Sequence, residues 1–150
     1  MKTVRLILGD QLNSNHSWFK DINENILYCI FEMRQETDYV IHHIQKVTGF
    51  FAAMRSFSKE LNEKGHSVKY LSILDKENTH SLTKNLNIVL EKFQAEKFEY
   101  LLPDEYRLDK QLKVFCKDLS INNEVYETEH FFTKREELAT FFKGKKQFLM

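Results

Sequence analysis

Ile26-Leu27-Tyr28-Cys29-Ile30-Phe31 is an unbroken apolar run, rich in residues that favour the pleat. A run of this length with no polar alternation suits a strand buried on both faces, as in the interior of a parallel sheet. Working outward, Thr3–Leu8 reads as a shorter strand of the same kind, and Gly9 closes it. Downstream, Val40, Ile44, Val47, Phe51, Met54 and Leu61 recur at helical spacing. Thr37 or Asp38 is the expected cap of that helix and Gly65 its stop.

The same alternation continues to the end. Strands are expected at about Val68–Leu74, Phe98–Leu102 (stopped by Pro103) and Glu124–Tyr126. Helices are expected through Leu82, Leu86, Val89, Leu90 and Phe93, and through Leu108, Leu112, Phe115 and Leu119. Thr133 and Glu136 form a capping-box pattern ahead of Leu138, Phe141 and Phe142. Five strands alternating with helices predict an α/β fold, an open five-stranded parallel Rossmann-like sheet with helices on both faces. The pattern does not give the strand order. It does place the chemistry at the carboxyl ends of the strands, in the loops that start at Gly9, Glu32, Asp75 and Pro103.

With one proline, four glycines and no linker-like stretch, the 150 residues read as one domain. Lysine plus arginine balance aspartate plus glutamate at 22 each, which argues against this chain alone gripping a nucleic-acid backbone. Lys143, Lys145 and Lys146 read as a solvated basic tail. Cys29 and Cys116 share no metal or redox spacing, and Cys29 reads as a small buried hydrophobe. No secretory leader and no run of membrane-spanning length is visible, so the expected location is cytoplasmic. The apolar ending Gln147-Phe148-Leu149-Met150 suggests the front part of a longer protein.

No dinucleotide fingerprint follows the first strand, and neither a P-loop nor a nucleophile elbow is present. His42 and His43 are adjacent on the chain and face different directions, so they do not share a metal in the i, i+4 manner. Asp10 and Glu36 make a possible carboxylate pair, but nothing beside them supplies a nucleophile or an oxyanion hole. No catalytic residue and no metal ligand is therefore assigned. A binding role fits the residue types better. Gly9 permits close approach, Asp10 and Glu36 accept hydrogen bonds, and Phe31, Tyr39 and Phe50 offer flat apolar surfaces to a heterocycle. The alternative is a surface ion-pair cluster of Glu32, Arg34 and Glu36 with the aromatics in the core.

Seven stretches then recur in one family, in order: Leu8-Gly9-Asp10-Gln11-Leu12, His16-Ser17-Trp18-Phe19, Glu32 to Tyr39 with His42-His43, Phe50-Phe51-Ala52-Ala53-Met54-Arg55, Pro103-Asp104-Glu105-Tyr106-Arg107, Glu129-His130-Phe131 and Gly144-Lys145-Lys146. On these the chain resembles the N-terminal α/β domain of the iron–sulfur bacterial cryptochromes and photolyases, the deoxyribodipyrimidine photolyase-related proteins. The resemblance implies a parent that repairs DNA with light or senses blue light, with FAD for electron transfer and a 4Fe-4S cluster. Both of those groups, and the damaged-DNA interface, would belong to a C-terminal FAD-binding helical domain that these 150 residues stop short of. The fragment would not be catalytic in isolation, and that helical domain would be its partner. The resemblance further implies an antenna, 6,7-dimethyl-8-ribityllumazine, resting on Gly9, Asp10, Glu36, Tyr39 and Phe50. Phe50 stands where one branch of the family carries a smaller aliphatic residue, and a ring there either tightens the pocket or blocks it. Two alternatives stay open: a pigment-free docking module supporting the FAD domain, and a free-standing small nucleotide-binding protein.

Overall fold

Cys29 and Phe31 face one side of a sheet while Tyr28 and Ile30 face the other, and each set joins its own hydrophobic cluster. A residue run apolar at every position thus feeds two cores at once. The computed structural model describes residues 1–34, 38, 41–133 and 135–144. Within them, five strands form one parallel sheet: β1 (Thr3–Leu6), β2 (Ile26–Phe31), β3 (Ser67–Leu71), β4 (Lys97–Leu101) and β5 (Asn122–Tyr126). The helices are α1 (Ile44–Glu63), α2 (Leu82–Phe93), α3 (Tyr106–Asp118) and α4 (Arg135–Phe142). The strand order is β3-β2-β1-β4-β5, which puts β1 in the centre and the reversal of strand order between β1 and β4. The expected five-stranded parallel Rossmann-like sheet is present.

One layer is built by α1, whose Phe51, Met54, Phe57 and Leu61 pack on Ile7, Tyr28, Ile30 and Leu101. The connection from β1 to β2 lies on the same layer. It is a loop with a single 3-10 turn (Ser17–Phe19) rather than a helix, and it seats Trp18 and Phe19 among these side chains. The opposite layer is built by α2 and α3. Leu82, Leu86, Leu108, Leu112 and Phe115 cover Val4, Leu6, Leu8, Phe98 and Tyr100.

A charged row crosses the first layer where a purely apolar one would be expected. Arg5 pairs in register with Tyr28 on one side and Glu99 on the other, and Glu99 pairs with Glu124. The Arg5 guanidinium donates to Glu99 at 2.7 Å and lies 4.7 Å from the Trp18 ring centre. Lys97 Nζ adds a second contact to Glu99, also at 2.7 Å. The buried carboxylate is therefore charge-compensated on two sides.

Several element boundaries differ from those expected. The long helix starts at Ile44, and its cap is His43, whose Nδ1 accepts from the Gln45 N–H at 3.3 Å. Of the two expected caps, Thr37 lies outside the described residues, and Asp38 sits in a bend whose N–H bonds to Arg34 O. The stop at Gly65 is as expected. Its φ of +94° lets its N–H reach Asn62 O while the His66 N–H reaches Leu61 O. The third strand ends at Leu71 because Ser72–Asp75 forms a turn and the Ile73 N–H is taken by Glu32. The fifth starts two residues earlier than expected, at Asn122. The cap of α4 involves residue 134, outside the described residues. Cys29 is buried, as expected. Among the described residues, no helix is long and apolar enough to cross a membrane.

Candidate functional site

The carboxyl end of β1 meets that of β4 where the strand order reverses, the position at which sheets of this type open a crevice. Here Gln11 ties the two strand ends together. Its Oε1 accepts the Leu8 N–H at 3.0 Å, and its Nε2 donates to Leu101 O at 3.2 Å and Leu102 O at 3.4 Å. Only 1% of Gln11 is exposed. The side chain continues the β1–β4 pairing beyond the backbone ladder, so the turn at Gly9-Asp10 is rigidly placed.

Gly9 is buried and meets Phe50 of α1. A Cβ added at Gly9 would lie 2.3 Å from Phe50 Cζ and 2.9 Å from Met54 Sδ. The close approach that this glycine permits is therefore made by the protein's own aromatic ring, itself half-buried. Asp10, next along the turn, is exposed as a residue, although protein atoms crowd its carboxyl. The protein mass around its carboxyl raises its pKa above the ordinary value. Asp104 and Glu105 push in the same direction, while its own backbone N–H and His130 pull it down.

Of the expected site residues, the structure brings Gly9 and Phe50 into contact and sets Asp10 on the same turn. Glu36 and Tyr39 lie outside the described residues. Phe31 does not join this wall. It belongs to the α2–α3 layer, because neighbouring strand residues point to opposite faces. His42 and His43 hold no shared metal geometry. His43 caps α1, and His42 lies beside Lys46 Nζ at 3.4 Å. Among the described residues, no three His, Cys, Asp or Glu side chains converge as a metal site.

The alternative of a surface ion-pair cluster with Arg34 and Glu36, the latter outside the described residues, does not hold for Glu32. Glu32 is wholly buried. Its Oε1 accepts from Arg55 Nε at 2.6 Å and from the Tyr70 hydroxyl, and its Oε2 accepts from Arg55 Nη2 at 2.9 Å and Ile73 N at 2.8 Å. Its backbone is engaged as well, with its N–H on Leu71 O and its C=O accepting from Asn78 Nδ2. Burial acts to raise the pKa of this carboxyl, but Arg55, Tyr70 and the Ile73 N–H together hold it below the ordinary value. The cluster ties the exit of β2, the exit of β3 and α1 into one unit, and Arg55 lies on the helix that carries Phe50.

A second tie joins the β1–β2 loop to the segment after β5. His16 Nδ1 accepts the Trp18 N–H at 3.0 Å, and its Nε2 lies 2.9 Å from Glu127 O. Glu129 accepts from Ser17 N at 3.0 Å and from Ser17 Oγ at 2.6 Å. Gln11, Glu32, Arg55 and His16 all fall within the stretches that carry the family resemblance, but their roles as ties are not read from the sequence. Gln11 and Glu32 stand out as polar residues just past apolar strands, Arg55 and His16 carry no such local signal, and most of the partners lie too far along the chain to be inferred.

Comparison with known proteins adds two findings. The sequence profile of the deoxyribodipyrimidine photo-lyase-related protein family matches residues 5–150. A (6-4) photolyase of Agrobacterium fabrum (strain C58 / ATCC 33970) is 28% identical over 153 residues, an alignment that covers 100% of this chain and 30% of that relative. The chain thus spans less than a third of the length of the curated relative it matches.

Proposed function

Since this chain belongs to the deoxyribodipyrimidine photo-lyase-related protein family, we propose that it is the antenna-holding α/β domain of a photolyase- or cryptochrome-like flavoprotein. Its crevice at the carboxyl ends of the first strands would take a flat chromophore of the 6,7-dimethyl-8-ribityllumazine type. The carrying observation is the paired geometry at that crevice. Phe50 lies over Gly9 as an apolar wall, and on the same turn the exposed residue Asp10 presents a carboxylate whose charge the fold disfavours.

The residues in place fit such a group in one respect and alter the expected contact in another. Asp10 suits a ring N–H or a ribityl hydroxyl, since an ionised carboxylate only accepts. Gly9 does not itself face the chromophore while Phe50 covers it, so the wall is the free side of the Phe50 ring. The bound pigment would supply light absorption, and the chain's own residues orient it and exclude water. Repair or signalling would then reside in FAD, a 4Fe-4S cluster and a damaged-DNA interface on a partner helical domain. The two cysteines here, both free, are not read as cluster ligands.

The same contact of Phe50 with Gly9 favours a second reading, a pigment-free module that supports the FAD domain. Titration of the 150-residue chain with 6,7-dimethyl-8-ribityllumazine, followed by absorbance and fluorescence, separates the two. The antenna reading expects saturable binding that Asp10→Asn weakens about tenfold, the loss of one charge-assisted hydrogen bond. Absent binding by the wild type, with binding gained by Phe50→Ala, would establish the plug instead. Absence in both would end the antenna reading.

A further inference from the structure

Beyond β5, among residues not assigned above to the antenna, the chain forms a hollow of about 310 Å³. Glu127, Thr128, Glu129, Phe131, Phe132 and Glu137 line it. Thr128 is 1% exposed, yet its Oγ1 meets no hydrogen-bond partner. A buried hydroxyl without a partner costs free energy, and native structures keep few of them. Of the two aromatic residues that line the hollow, Phe132 is fully exposed and Phe131 more than half so.

From this arrangement we infer that the hollow is a receptor for a cationic side-chain group, the ammonium or guanidinium of a lysine or arginine on a basic polypeptide segment. The carboxylates supply the opposite charge, the two phenylalanine rings take the cation on their faces, and Thr128 Oγ1 accepts one of its N–H groups. An anion is excluded by the carboxylates. A neutral apolar ligand would cover those carboxylates and leave Thr128 as it is. A metal ion is disfavoured because no three His, Cys, Asp or Glu side chains converge among the described residues. The position is also well fixed. Glu129 is anchored by Ser17 N and Oγ, and the Glu127 carbonyl by His16. The rim is therefore attached to the folded body rather than left as a free tail.

The test uses the isotopically labelled 150-residue chain in low salt, where exposed charges are least screened. Three probes are titrated and amide shifts recorded: N-acetyl-arginine methylamide, N-acetyl-lysine methylamide, and the neutral isostere N-acetyl-citrulline methylamide. Saturable shifts centred on residues 127–137 are expected with at least one cationic probe, and binding of citrulline about tenfold weaker. The tighter of the two cationic arms identifies the head group. Thr128→Val and Glu137→Gln should each weaken that probe several-fold, and Glu137→Gln keeps the test decisive should Thr128→Val fail to fold. Equal binding of citrulline, no saturable shift with either cation, or undiminished binding by Glu137→Gln would each overturn the inference.

Discussion

Gly9→Ala is the most direct probe of the crevice. The Gly9 φ lies outside the left-handed region, so alanine brings no backbone strain and the whole effect is contact. The new Cβ would stand 2.3 Å from Phe50 Cζ, 2.7 Å from Phe50 Cε1 and 2.9 Å from Met54 Sδ. Carbon atoms settle near ~3.5–4.0 Å, so the ring must withdraw by more than about 1 Å. Phe50, half-buried at its free end, can yield toward solvent; Met54, wholly buried, cannot. Overpacking of this kind costs about 1–3 kcal/mol. The stiffer unfolded chain returns about 0.4–1 kcal/mol. A net loss of about 1–2 kcal/mol follows, or about 3–6 °C in Tm for a chain of this size. Urea unfolding read from the fluorescence of Trp18, the sole and buried tryptophan, measures it. The same substitution made in a Phe50→Ala background removes both ring contacts and leaves that with Met54. The unfolded-chain contribution cancels in that comparison, so the cost of Gly9→Ala should fall by about 1 kcal/mol or more. An equal cost in both backgrounds would refute the claim that Phe50 is what requires glycine at this position.

Two further outcomes follow from the buried charges. Glu32→Gln should lower unfolding free energy by about 2–4 kcal/mol in urea titration. That is below the upper range for breaking a buried pair, because the exposed Arg55 can regain water; a loss under about 1 kcal/mol would mean the cluster is not a structural tie. The pH dependence has two steps. Burial pushes the His66 pKa down, so the native state keeps it neutral, and stability is lost as pH falls below the ordinary histidine value of 6.5. Glu99, like Glu32, is pushed up by burial but pulled further down, by Lys97 and Arg5. Their contribution is present above the ordinary glutamate value of 4.5 and is lost as pH falls through the lower native values. Chemical denaturation from pH 8 to pH 3 should give a plateau, a shallow decline and then a steep one, and Glu99→Gln should flatten the last; a curve level down to pH 4 contradicts both assignments.

The parallel sheet was legible because the run Ile26–Phe31 has no polar face, which a strand open to water on one side would show. That same uniformity hid which residue feeds which layer, so Phe31 was expected at a wall it cannot reach. The start of α1 was misplaced by a local preference. Threonine and aspartate are good caps by type, yet His43 makes the bond, and nothing nearby in the sequence announces it. Gly9 was legible as a point of close approach. What approaches it is Phe50, 41 positions along the chain (50 minus 9), and the choice between ligand and side chain is a tertiary fact. Strand order and the Glu32–Arg55 pairing belong to the same non-local class.

The contact between Phe50 and Gly9 serves a wall and a plug equally well, so it cannot by itself divide the antenna reading from the docking one. Asp10 can, by titration. Glu32, Glu77, Glu99, Glu124 and Glu129 all have pKa values drawn down by donors that the fold provides. Asp10 is shifted the opposite way, towards the neutral form. Its neighbour Gln11 spends every side-chain bond on fixing the turn that displays it. A disfavoured charge on a turn braced against movement suits a hydrogen-bond donor from outside the domain, a pigment N–H or hydroxyl in the antenna reading and a group of the helical domain in the docking one. Titration of the wild type and Asp10→Asn with the lumazine tells the two apart.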